Sequence, residues 1–229
     1  MRIVISRRSA RGGLLAVAMA GPLFLGATGC GGDEDPAAKA ADKAVAGTEL
    51  CGGDAVSADA AEALKVITGE SRLEASAKEY SITKAASALR KKFITESVGT
   101  GDICRVFTPV GTPEIQLRIT WDLARDAPTS TDPMGPEYTE LKMGETAWTT
   151  PDKALVEFAC RSDKLAGSNP AHIGVEVMRW GMPKDIDDES GALKDAYATV
   201  AHSISVAMAE ELGCAENGGL PAKVVLDRA

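Results

Sequence analysis

Ile115-Gln116-Leu117-Arg118-Ile119-Thr120-Trp121-Asp122-Leu123 alternates apolar and polar residues without a break. Side chains of an extended chain point to opposite faces at each step, so this stretch reads as a strand with one face buried and one wetted. Upstream, residues 102–108 alternate in the same way, and Val110-Gly111-Thr112-Pro113 between the two predicts a hairpin. Downstream, Val156, Phe158 and Cys160 share one side of another strand, against Leu155, Glu157 and Arg161. Ile173, Val175 and Val177 alternate with Gly174 and Glu176 in a further strand, and the short connection over 163–171 favours antiparallel pairing.

The flanking segments change period. Ser57 is a capping residue ahead of a helix running to about Thr68, with Ala60, Leu64 and Ile67 on one side and Gly69 as the stop. Ile82, Ala85, Ala86, Leu89 and Phe93 recur at helical spacing behind Ser81, which predicts a helix from Ile82 to Ile94. A long helix is expected from about Ser190 to Leu212. Leu193, Ala196, Tyr197, Val200, Ile204, Ala207, Met208 and Leu212 form its apolar stripe, and Gly213 ends it. Helices grouped around a run of strands predict an α+β fold: a two-layer single domain over 49–229, with an antiparallel four- to five-stranded meander covered by helices on one face.

The N-terminus is of another kind. Arg2, Arg7, Arg8 and Arg11 precede a charge-free stretch over 12–29, which ends at Ala27-Thr28-Gly29-Cys30. The three-part layout resembles a bacterial lipoprotein signal peptide over 1–29, with Cys30 as the lipidated residue and new N-terminus. Gly12, Gly13, Gly21, Pro22, Gly26 and Gly29 interrupt the run, which argues against a retained membrane span. Arg7-Arg8 resembles a twin-arginine export signal, so both that route and the general secretory route stay open. Residues 30–48 are small and charged and read as a flexible tether.

Four of the 25 basic residues and none of the 33 acidic residues fall in 1–29, so the remainder carries a net charge near −12. An acidic surface disfavours nucleic acid, whose binding relies on Lys and Arg meeting phosphate. With Cys30 assigned to the lipid, Cys51, Cys104, Cys160 and Cys214 are left. In an exported domain they read as two disulfides. Three pairings are possible, and Cys104–Cys160 is disfavoured because a meander would put another strand between theirs.

No catalytic, metal or cofactor residues are assigned. Asp185, Asp187 and Glu189 begin like a calcium loop, but Ser190 and Ala196 stand where the glycine and the bidentate glutamate are needed. With Asp188 they read as acids before a helix N-terminus. Ser elbows, P-loops and zinc-protease motifs are missing from the sequence. His202 falls off the apolar stripe of its helix and is expected in solvent, while His172 heads a strand and is expected at an edge. Arg90, Lys91 and Lys92 suit the negative end of their helix. The loops over 125–140 and 183–189 are the expected contact regions.

Ala27-Thr28-Gly29-Cys30, Leu50-Cys51-Gly52-Gly53 and Phe158-Ala159-Cys160 together are similar to small exported lipoproteins of high-GC Gram-positive bacteria, a group of unknown function. The resemblance implies secretion and anchorage at the outer face of the cell membrane, and carries no activity. The expectation is a non-enzymatic binding or accessory module whose partner is an envelope protein or a small ligand. The competing expectation is an envelope hydrolase with a dispersed active site.

Overall fold

In chain order the strands are β1 (Ala44–Ala46), β2 (Arg72–Ala75), β3 (Gly99–Phe107), β4 (Gln116–Ala124), β5 (Thr139–Glu140), β6 (Thr146–Thr149), β7 (Lys153–Cys160) and β8 (Ala171–Trp180). The helices are α1 (Ala58–Thr68), α2 (Ile82–Ile94) and α3 (Gly191–Leu212), with short 3-10 turns at Gly47–Gly52 and Ala215–Gly219. This computed structural model describes residues 43–75, 80–95, 98–124, 126–129, 135–166, 169–181 and 191–228, all within the unit Glu34–Ala229. Cys30, residues 1–42 and the acidic segment 183–189 lie outside the described residues, as do 125 and 130–134 of the loop over 125–140.

The fold is α+β, built on one antiparallel sheet of eight strands in the order β1-β2-β3-β4-β8-β7-β6-β5. The expected count of four to five is therefore too low. β1, β2, β5 and β6 are four residues or shorter, and so short a run shows little alternation. Nor is the sheet one meander. β1 to β4 form one and β5 to β8 a second, joined where β4 pairs with β8 along its whole length, from Gln116↔Trp180 to Ala124↔His172. The expected tether boundary at 48 falls inside folded structure. Ala44–Ala46 is already a strand paired with β2, and Leu50 and Cys51 are buried.

The helices form where their caps and stripes place them. Ser57 and Ser81 accept hydrogen bonds from the Ala60 and Lys84 amides, satisfying N–H groups that have no partner within the first turn. Gly69 closes α1 in the left-handed conformation, at φ 79°, which costs a glycine little. α2 packs on β3, and α3 lies across β7, β8 and β6. α1 packs on α3 rather than on the sheet, so α3 is enclosed from two sides and is buried nearly all round.

One sheet face thus carries the core. Leu117, Ile119, Trp121 and Leu123 of β4 meet Val156 and Phe158 of β7 and Ile173, Val175 and Val177 of β8 beneath the helices. The alternation over 102–108 is interrupted by a bulge between Asp102 and Cys104, which buries the consecutive residues Ile103 and Cys104. Disulfides join Cys51 to Cys104 and Cys160 to Cys214, partners 53 and 54 residues apart. The first ties the entry segment to β3, and the second ties the end of α3 to the end of β7.

Candidate functional site: the open face of the sheet

The second face of the sheet has no helix on it among the described residues. Strand register puts its side chains in rows. Arg105, Arg118, Met178 and Lys153 form one, next to Asp102, Thr120, Glu176, Leu155 and Trp148. The third row is Thr100, Asp122, Gly174, Glu157 and Thr146, and His172 lies beyond it between Ala124 and Ala159. Cations therefore gather at one end of the strands and acids at the other.

The cations are engaged. Arg118 Nε and Arg105 donate to the Asp102 carboxylate at 2.7 and 2.9 Å. Burial pushes that carboxyl upward, but the two guanidinium hydrogen bonds win and hold it below its ordinary value. Arg118 also lies 5.1 Å from the centre of the Trp180 ring. Lys153 lies 5.2 Å from the Trp148 ring and 5.5 Å from Tyr138.

The acids are not. Asp122, Glu157 and Glu176 have no ion-pair partner among the described residues. Asp122 and Glu157 flank Gly174, and the Asp122 carboxyl fills the space a side chain there would need. Burial raises all three carboxyls above their ordinary values. Asp122 and Glu145 push Glu157 further up, against a weaker pull from His172. Lys153 and Arg118 pull Glu176 down only in part.

His172 is not an edge residue. β8 is interior, and the His172 Nδ1 lies 2.7 Å from the Glu145 carboxylate. His202 is not in solvent either. It is 5% exposed, and its Nε2 lies 2.8 Å from the Pro221 carbonyl. Burial lowers its pKa below the ordinary imidazole value, the hydrogen bond opposing. A single stripe cannot describe a helix covered on two sides, so His202 lies off the stripe and is buried all the same. Beside it, the Ser203 hydroxyl donates to the Ala55 carbonyl and accepts from the Ser57 amide, so this serine is held by backbone.

The two loops expected to make contact leave opposite ends of the sheet. The first follows Ala124, which pairs with His172 at the start of β8, and the second follows Trp180, which pairs with Gln116 at the start of β4. Sequence reading placed Asp122, Glu157 and Glu176 on polar strand sides without seeing them as one site. Their convergence depends on β4, β8 and β7 being neighbours. Among the described residues, no three His, Cys, Asp or Glu side chains are placed to hold a metal ion, and no helix is long and apolar enough to cross a membrane.

No family model matches the chain, and neither a curated protein nor a solved structure does. The class defined by fold and chemistry is accordingly a disulfide-bonded α+β domain with one covered and one open sheet face. Its two disulfides fit an extracytoplasmic, oxidising compartment.

Proposed function

We propose that the protein is a lipid-anchored extracytoplasmic binding or accessory module of the cell envelope. The acidic half of its open sheet face meets a protein partner that presents basic side chains. Cys30 carries the acyl chains after removal of residues 1–29, since two chains anchor stably where one does not. The observation that carries the reading is the trio Asp122, Glu157 and Glu176. Half-buried carboxylates that join no salt bridge work against the fold, and a partner's cations would supply direct contacts that nearby Lys153, Arg118 and His172 do not make.

A photo-crosslinking residue at Leu155, in the middle of the face, tests this in the full chain in its native cells. The expected result is a defined adduct that disappears when Asp122→Asn, Glu157→Gln and Glu176→Gln are combined. The same adducts from Val66, exposed on α1, would count against it. Cys30→Ser should leave the precursor unlipidated and unprocessed, read by intact mass.

The Glu145–His172 pair supports a hydrolase as the second reading, because a carboxylate orients imidazole in that way. No hydroxyl or thiol hydrogen-bonds to His172 among the described residues. Turnover in an esterase, peptidase or glycosidase screen, lost with His172→Ala, would favour this reading over the first.

A further inference from the structure

We infer that the open groove between α2 and the start of β3 binds a small organic anion with an apolar portion. The inference stands on different residues from the sheet-face reading and does not depend on it. The groove encloses about 680 Å³, and Tyr80, Ala85, Ala88 and Trp121 give it apolar walls. That is room for a small ligand.

Three observations define the chemistry. Trp121 forms the floor and is only 3% exposed, yet its indole N–H meets no acceptor among the described residues. The N–H is not sealed: among the described residues Glu74 Oε1 is the buried side-chain polar atom without a partner, so the indole edge stays accessible to a ligand in the groove. Its Nε1 edge lies against Gly101, where an added Cβ would sit 2.7 Å from the ring. A side chain at 101 would cover that edge, and glycine leaves it bare.

Charge supplies the second observation. Lys84 and Lys91 line the groove, are exposed, and join no ion pair among the described residues. The one acid lining it, Asp102, is already held by Arg105 and Arg118. A cationic groove thus opens in a chain whose net charge is −8.

Position supplies the third. The helix dipole favours Lys91 in the last turn of α2 but disfavours Lys84 in its first. Lys84 and Lys91 lie on the same side of the helix, seven residues apart in sequence. Two ammonium groups and an indole N–H then converge on one acceptor-rich head, a carboxylate or phosphate, while the apolar remainder lies against the aromatic and alanine walls. The anion is either a free solute or the exposed head of a lipid.

The test uses the full chain labelled with 5-fluorotryptophan, read by fluorine NMR, with the Trp121 signal assigned through Trp148→Phe and Trp180→Phe. Decanoate and decyl phosphate should shift the Trp121 signal saturably, whereas decyltrimethylammonium should not. Lys84→Ala with Lys91→Ala, both at exposed positions, should weaken the Kd about tenfold or more. A shift with phosphatidylglycerol vesicles but not with decanoate or decyl phosphate supports the same anion chemistry and assigns the source to lipid. An unmoved Trp121 signal with all anionic probes, an equal response to the cationic amphiphile, or an unchanged Kd in the double lysine variant would overturn the proposal.

Discussion

The two faces of the sheet are made by the same strands and obey different physics. Beneath the helices, Leu117, Ile119, Phe158, Ile173, Val175 and Val177 are sealed from water and satisfied by one another. On the open face, Arg118, Asp122, Glu157, His172 and Glu176 stand at alternate positions of the same strands, half in water and only partly paired. The covered face explains why the chain folds. The open face holds Asp122, Glu157 and Glu176, which join no salt bridge among the described residues, and such groups are candidates for recognition.

The largest expected difference comes from the covered side. Phe158→Ala should remove about 3–5 kcal/mol from the unfolding free energy, measured by chemical denaturation, because a fully buried ring leaves a cavity. Leu155→Ala, three residues earlier and on the open face, should cost much less in the same assay. Comparable losses at 155 and 158 would break the division between faces.

The disulfides come next. Each closes a long loop, with partners 53 or 54 residues apart, for which loop-closure entropy alone gives about 4 kcal/mol. Replacing Cys160 and Cys214 by Ala should cost about 2–4 kcal/mol and loosen the end of α3 first, seen as faster hydrogen exchange near Leu212. Four alkylatable thiols in the native protein would contradict the pairing.

His202 sharpens the comparison from the covered side. Its pKa is lowered in the folded state, so the unfolded chain takes up its proton first as pH falls. The stability it contributes is complete above the ordinary imidazole value of 6.5 and is lost as pH falls through the lower folded value. The slope due to this one proton is at most about 1.4 kcal/mol per pH unit. His202→Gln should flatten that part of the profile, read by thermal melts between pH 7.5 and 5.

How much of this was legible in one dimension follows from which interactions are local. The caps at Ser57 and Ser81, the stop at Gly69 and the alternation of β4 depend on neighbours a few residues away, and each element forms where its pattern places it. Pairing of β4 with β8 joins residues far apart in sequence, and nothing local announces it. The same long-range step hid the carboxylate trio. Short strands such as Thr139–Glu140 carry too few residues to show a period, and burial of His202 needed the knowledge that α1 covers α3. For the disulfides, the strand argument disfavours one pairing and leaves the choice between the others open.

The smallest effect, opposite in sign, bears most directly on the central claim that the open face is kept for something other than stability. Burial raises the carboxyls of Asp122, Glu157 and Glu176 in the folded protein. Their contribution is therefore fully present below the ordinary carboxyl values of 3.8 and 4.5 and is lost as pH rises through the folded values. The measurement is the thermal midpoint of the Asp122→Asn, Glu157→Gln, Glu176→Gln protein beside the native chain at pH 7.5 and again below pH 3.8. The account predicts a midpoint at or above that of the native chain at pH 7.5, with any gain disappearing in acid. A variant that melts clearly lower at pH 7.5 would show that the ionised carboxylates hold the sheet together, and would contradict it.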